Sequence, residues 1–387
     1  MTTATRQLGV VEIARLIAGD VAGPAAAAVD SQNRFPAEAV GALREAGLFG
    51  LLVPRGMGGS GATVAAACDI AATLGAGCLS TALVWAMHSQ QVAIMADHAA
   101  DQWQEALRDV ALNGALVASA TTEPGKGSAL LLADAPLVET DGRFVIDRPS
   151  PFVSYGDEAS YYLVTMRGGP DQPQTDVKYV LLPRAAATVT GDWDAMGMRG
   201  TRSVPMQFKG EVEADKILAG DFRGIAVRTA IPVAHLAWTS AWYGAARGAL
   251  DRFVSSLREG SGSSRRRLGS EVFRVKLAEV RLSLDLLESM LDRLVDRYEG
   301  MRAAGSPRAA YEDPDWTIAL NGLKVAGSRL TFAAADALVG IAGLERGYTR
   351  TESIGLERTF RDLRSAALMV NNDDLLQLNA QQLFMNT

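Results

Sequence analysis

Histidine and cysteine are scarce in this chain of 387 residues, with three of the first and two of the second. No His/Cys cluster has metal-ligand spacing, so no metal centre is expected. Cys68 and Cys78 sit in an apolar helical stretch. Bare arithmetic allows one disulfide, and two buried thiols of a cytosolic protein is the preferred reading. Positive charge is also short: 38 Lys and Arg stand against 44 Asp and Glu, a net charge of −6. Without a basic face there is no support for nucleic-acid binding. No apolar run reaches the roughly 18 residues of a membrane span. The polar start, Met1 to Gln7, is not followed by the apolar core of a signal peptide. These absences predict a cytoplasmic protein bound to neither membrane nor nucleic acid.

What is present is apolar bulk. Hydrophobic residues make up 48% of the chain and charged ones 21%, a globular composition. The length allows two or three subdomains. Up to about residue 112 the chain reads as helix. Val10 to about Asp30 is Ala-rich, Phe35-Pro36 opens a second helix, and Thr63 to Ala100 is nearly all small and apolar. The Gly-rich turn Arg55 to Gly61 lacks the Gly-Lys-Ser/Thr ending of a phosphate loop and no βαβ pattern follows it. From Asn113 to about residue 222 the texture changes to short apolar runs between turns. Strands are expected at Leu116–Ala120, Ala135–Glu139, Arg143–Ile146, Tyr161–Met166, Lys178–Leu182 and Val204–Phe208, with Asp141-Gly142 as a hairpin turn. Helix returns after Phe222. Ile231 to Leu257 is one long apolar helix. In the next, Leu277, Val280, Leu284, Leu287, Leu291, Leu294 and Tyr298 recur at spacings of three and four, the stripe of a helical bundle. Two more helices are expected, about Asp315 to Val339 and Leu356 to Phe384, separated by the Gly-rich Gly340 to Gly347. The reading is three units: a helical domain over 1–112, a β domain over 113–222 and a helical bundle over 223–387.

The most informative stretch is Ala118-Ser-Ala-Thr-Thr-Glu-Pro-Gly-Lys-Gly-Ser128. It starts as a strand and breaks at Pro124-Gly125 and Gly127, where proline fixes φ and glycine permits positive φ. Ser119, Thr121 and Thr122 precede the turn and Ser128 follows it. A strand end with exposed hydroxyls and free backbone N–H groups can grip a planar, polar or anionic ligand.

Thr122-Glu-Pro-Gly-Lys-Gly-Ser128 resembles the flavin loop of the acyl-CoA dehydrogenase superfamily. Four further segments resemble that family in order. Phe35-Pro36 through Gly58-Gly-Ser-Gly61 is similar to its first helical hairpin and turn. Phe152-Val-Ser154 is similar to its strand of aromatic, any residue, hydroxyl. Gly197-Met-Arg-Gly-Thr-Arg-Ser203 is similar to the turn before its last strand, and Arg361-Asp362 to its C-terminal Arg-Asp pair. The resemblance covers nearly the whole chain. It implies a mainly α fold with a central β domain: N-terminal helices, a β barrel or sandwich, and a C-terminal four-helix bundle. It also implies a flavin, FAD or FMN, with Ser119, Thr121, Thr122, Gly127, Ser128, Phe152 and Ser154 as cofactor-binding residues. Phe152 would stack on the ring and Ser154 would reach its reactive nitrogen.

The chain departs from the family where a base is required. Dehydrogenation of an acyl thioester needs a group that takes the α-proton. Eight residues after Asp362, where the family carries glutamate, stands Val370. The alternative position on the first bundle helix is Ala234, beside His235. His235 is therefore the candidate catalytic residue, expected to titrate near neutrality. His88, on an apolar helix, reads as a core residue and His98 as solvated. Where the family holds the AMP half of FAD, this chain has Gly260, Ser263, Glu271, Ala337 and Gly340-Ile341. Arg265 to Arg267 either replace the lost charge or form a solvated basic run. Three functions follow from the resemblance. The first is a flavin-dependent oxidoreductase acting on a CoA or carrier-bound acyl thioester, or a related small molecule, through a non-standard base. The second is a monooxygenase using reduced flavin. The third is a non-catalytic copy. An electron-transfer or flavin-reductase partner and a homodimer or homotetramer are expected with the first two.

Overall fold

The computed structural model describes residues 9–126, 129–260, 269–351 and 354–385. The chain opens with α1 (Val10–Ile17), α2 (Gly23–Ser31) and α3 (Ala37–Glu45), then α4 (Val64–Gly77), α5 (Leu79–His98) and α6 (Gln104–Asn113). One π-helical turn, Ala18–Ala22, joins α1 to α2, so the Ala-rich stretch is continuous helix through Gly19. Thr63 caps α4 by accepting from the Ala66 N–H at 3.2 Å. Leu79 to Met95 of α5 is buried almost throughout, as an apolar texture without a polar face requires.

Among the described residues seven strands follow: β1 (Val117–Ala120), β2 (Val138–Thr140), β3 (Arg143–Val153), β4 (Tyr161–Arg167), β5 (Val177–Pro183), β6 (Ala187–Val189) and β7 (Val204–Val212). They form two sheets. One has the order β1-β4-β5, with β1 parallel to β4, and the other the order β2-β3-β7-β6, all antiparallel. β3 is longer than the sequence reading, which stops it at Ile146. Pro149 and Pro151 argue against a strand there, yet β2 pairs only with residues 143–145 of β3, so beyond them β3 has an open edge that tolerates proline. β6 was not expected; it is three residues paired with β7 and too short for alternation to show.

The C-terminal part begins with the short α7 (Phe222–Ile225) and continues through α8 (Ile231–Glu259), α9 (Glu271–Ala303), the short α10 (Arg308–Tyr311) and α11 (Pro314–Gly343). It ends with α12 (Leu356–Arg364), α13 (Ala366–Met369) and α14 (Asn372–Met385). Val280, Leu284, Leu287, Leu291, Leu294 and Tyr298 of the α9 stripe are buried, while Leu277 packs half-buried at its edge. α8 lies against α4 at backbone contact distance: a Cβ on Gly244 would collide with the Ala72 carbonyl, and one on Gly75 with the Ala241 carbonyl. α11 runs through Gly340 instead of stopping at Val339, and a π-helical turn, Leu344–Tyr348, follows it. The last expected helix is in fact three: Ser365 parts α12 from α13, and Val370, extended at φ −133° and ψ 131°, parts α13 from α14.

The helix Pro314–Tyr348 is, among the described residues, long and apolar enough by length and composition to cross a membrane. This corrects the reading that no such run exists. Its apolarity has a local use, since Trp316, Leu320, Leu323, Ala334, Ala335 and Leu338 are buried in the bundle. Cys68 and Cys78 are both buried free thiols, and burial pushes the Cys68 thiol up to about 12.

Candidate functional site

The loop after β1 is held from below by a carboxylate. Glu123 is buried, and its oxygens accept the Asp134 N–H at 2.7 Å and the Ala135 N–H at 2.9 Å. The fully buried Arg148 of β3 lies 3.8 Å from it and donates to the Thr165 carbonyl at 2.8 Å. Burial pushes the Arg148 guanidinium down to about 10 against the opposing pull of Glu123. Two residues along β3, Ser150 Oγ donates to the Thr122 carbonyl at 3.0 Å. β3 thus grips the loop twice, and the hydroxyls of Thr121 and Thr122, half-buried, have no partner within the chain among the described residues.

β3 then changes face. Ser150 pairs with Met206 and Val153 with Val204, three residues against two, which is a β-bulge. Before the bulge Ile146, Arg148 and Ser150 point inward; after it Val153 does, and Phe152 turns outward, 57% exposed. Phe152 meets the edge of Trp193 with ring centroids 6.0 Å apart, and Trp193 Nε1 donates to the Met198 carbonyl at 3.0 Å. Ser154 Oγ lies 3.0 Å from Ser203 Oγ, which lies 2.9 Å from Thr201 Oγ1. Thr201 Oγ1 donates to the Met198 carbonyl at 2.8 Å. A chain of hydroxyls therefore ends at Ser154, anchored on the turn 197–203.

The surroundings make this arrangement rigid. Of the five non-glycine residues with positive φ among the described residues, three sit here: Tyr155, Met198 and Arg202. Such backbone persists only where neighbours enforce it. Tyr155 N–H donates to the Thr201 carbonyl at 2.6 Å and its hydroxyl to the Val117 carbonyl at 3.0 Å, which ties β3 to β1. Arg202 pairs with Asp157 at 3.0 Å and with Asp192 at 2.6 Å. From the bundle, the Asp362 carboxylate accepts the Met198 N–H at 2.6 Å, and Arg361 holds Asp30 through two bonds of 2.9 and 2.6 Å. The Arg-Asp pair thus clamps α12 and α2 onto the turn that carries Ser203. Burial raises Asp362 to about 6.

The structure joins the Thr122 loop to the strand bearing Phe152 and Ser154 through the Ser150 bond. Ser119 is half-buried in β1, opposite Leu163 of β4. Gly127 and Ser128 lie outside the described residues, as do Ser263 and Arg265 to Arg267. His235 is elsewhere, on α8 facing the Leu320 carbonyl and Lys324 of α11, with Nδ1 buried and unpartnered. Burial and the Lys324 charge lower its pKa to about 3. The expected titration near neutrality is corrected: the ring is neutral there and a weak base. His88 is a satisfied core residue. Its Nδ1 accepts the Val117 N–H at 3.1 Å, so its Nε2 donates to the Phe49 carbonyl at 3.0 Å, and burial lowers it to about 4. His98 is half-buried and not solvated, 2.9 Å from Thr229 Oγ1. Glu123, Arg148, Trp193, Ser203 and Lys324 were missed by sequence reading. The charges at 123 and 148 carried a signal only in their shared burial, which a linear sequence does not display.

Comparison with known proteins decides the family. Residues 5–112 match the family model of the acyl-CoA dehydrogenase N-terminal domain, and residues 236–372 that of the acyl-CoA dehydrogenase C-terminal domain. The chain belongs to the acyl-CoA dehydrogenase superfamily. A cyclohex-1-ene-1-carbonyl-CoA dehydrogenase of Syntrophus aciditrophicus (strain SB) is 27% identical over 64% of this chain and 62% of its own length. The chain thus spans less than two thirds of that relative. Among solved structures, butyryl-CoA dehydrogenase from Megasphaera elsdenii superposes with a TM-score of 0.85 at 16% identity, over 99% of both chains. A dibenzothiophene monooxygenase from Paenibacillus sp. A11-2 superposes with a TM-score of 0.83 at 20% identity, over 97% of both chains. At these identities the two superpositions establish the acyl-CoA dehydrogenase fold.

Proposed function

We propose that this chain is a flavin-dependent oxidoreductase whose ring site is formed by the Thr121-Thr122 loop, Phe152 and Ser154, with Ser119, Gly127 and Ser128 completing the loop. The observation that carries the reading is the outward Phe152 beside a hydroxyl chain ending at Ser154, on a strand bonded to a loop whose two threonine hydroxyls have no partner among the described residues. An apolar face flanked by donors fits a flat ring with polar edges. A bound flavin, FAD or FMN, would supply hydride acceptance or, when reduced, reactivity toward oxygen. The chain's own part is to orient the ring edge through Ser154, to cover one face with Phe152, and to keep the Met198 turn fixed through Asp362.

For the substrate, the first reading is an acyl thioester on CoA or a carrier protein, or a related small molecule, with a non-standard base. The names of the dehydrogenase relatives support it. The second reading is a monooxygenase supplied with reduced flavin by a partner reductase. One observation favours it: Val370 replaces the expected carboxylate and His235, near pKa 3, is too weak a base to take an α-proton at neutral pH. A related fold has been solved with FMN bound. We also assign to this chain an oligomer built through its C-terminal helices. The outer face of α9 exposes Val272, Val275, Leu282 and Leu286 at heptad-like spacing, apolar side chains left uncovered among the described residues.

The test is the flavin content of the purified protein, followed by anaerobic mixing with a range of acyl-CoAs. Rapid bleaching of bound flavin supports the dehydrogenase reading. No bleaching, with substrate-dependent product when reduced FMN and air are supplied, supports the monooxygenase. Failure to bind FAD or FMN in either redox state overturns both.

A further inference from the structure

The bundle holds a buried cation with no counter-anion. Lys324 of α11 is fully buried, and its Nζ donates to the Val370 carbonyl and, at 2.9 Å, to Asn372 Oδ1. Asn372 Nδ2 in turn donates to Ser328 Oγ at 3.0 Å. Lys324 forms no ion pair with a carboxylate among the described residues. Its titratable neighbour across the seam is His235 of α8, which is neutral. Asp373 and Asp374, at the start of α14, are exposed. Burying an ammonium unpaired is expensive, and here burial lowers Lys324 to about 8, leaving it mostly charged at neutral pH. Holding a helix break needs no charge: Asn371 already caps α14 by accepting the Asp373 N–H at 3.0 Å.

The charge is placed where the base is missing. Its acceptors, Val370 and Asn372, flank the break between α13 and α14. α12 and α13 lead back from there to Asp362, which bonds the turn carrying Ser203, whose hydroxyl meets that of Ser154.

We propose that Lys324 is a positioning residue for the flavin site: it pins Val370–Asn372 and puts an unneutralised positive charge behind that segment, so that the site favours a negatively charged ring over a neutral one. The inference rests on the proposed flavin site and gives the missing carboxylate a physical sense. A glutamate at position 370 would neutralise the field, and valine leaves it intact.

The experiment measures the dissociation constants of oxidised FMN and of dithionite-reduced FMN, the latter anaerobically, at one fixed pH. The phosphate is common to both, so their ratio isolates the ring charge. Wild type is compared with Lys324→Met and Asn372→Asp. The second keeps an acceptor for Nζ and neutralises the charge without emptying the core. The preference for reduced FMN is expected to fall severalfold in both, the direction that removing or neutralising a positive charge gives. An unchanged ratio in Asn372→Asp overturns the inference, whatever Lys324→Met does, and so does an equal weakening of both forms, which a merely structural role would give. If wild type binds neither form, the flavin reading itself falls and this inference with it.

Discussion

At the scale of single residues, the site is built by groups that never face a ligand. Glu123 and Arg148 shape the loop from inside the β region, and removing one of a buried pair leaves the other charge uncompensated. Glu123→Ala is expected to destabilise the protein by about 3–5 kcal/mol, read from urea unfolding, while a change under about 1 kcal/mol would refute the anchoring role. Ser154→Ala removes the half-buried end of the hydroxyl chain and leaves Ser203 bonded to Thr201. Its stability should be unchanged within about 0.5 kcal/mol, while flavin affinity drops about 3- to 10-fold, one hydrogen bond's worth. His235 makes a pH prediction. Its folded pKa, about 3, lies below the ordinary value of 6.5, so the unfolded chain binds the proton more readily between them. The stability it contributes is present above pH 6.5 and lost as pH falls toward 3. His235→Gln should therefore flatten the acid limb of the stability profile; an identical limb would show that the ring is not buried neutral.

At the scale of elements, close approach decides more than hydrophobicity. α4 and α8 meet through Gly75, Gly244 and Gly248, where side chains would strike backbone of the other helix. Gly244→Val is expected to cost at least about 3 kcal/mol, the upper end of overpacking effects, seen as a lowered melting temperature. The same substitution at half-buried Gly41, where nothing lies within 4 Å of an added Cβ, should cost only a fraction of that. The bulge in β3 is the other decisive local feature. Alternation alone would put Phe152 on the same face as the buried Ser150, and one extra residue turns it outward.

For the whole molecule, the Arg361-Asp362 clamp and the α9 surface matter most. Asp362, at about 6, is charged above that pH and bonded to the Met198 amide. Because its folded pKa exceeds the ordinary 3.8, the carboxyl favours folding most below pH 3.8, and that contribution is lost as pH rises through 6. Asp362→Asn should remove this descending component; a profile that keeps it would place the titration elsewhere. The exposed α9 stripe predicts a dimer or tetramer at micromolar concentration by light scattering, with Leu282→Glu and Leu286→Glu together shifting the protein to a monomer.

The order of helical, β and helical segments was legible in the sequence because hydrophobic period is a local property, and α8 and the α9 stripe are long enough to display it. The Thr122 loop was legible from its Pro and Gly breaks, and Phe152-Val-Ser154 only through its resemblance to the family's strand. The break at Val370 was not, because nothing in the local apolar pattern marks it, and the lysine that bonds its carbonyl stands 46 residues earlier in the chain. Nor was the state of His235: its neighbours on α8 are apolar or aromatic, but the depth of burial and the charge facing it come from α11. Motif residues and element types follow from nearest neighbours in sequence. Which hydroxyls join into a chain, which charges go uncompensated and which aromatic faces outward follow from packing between distant segments, and only the tertiary structure decided them.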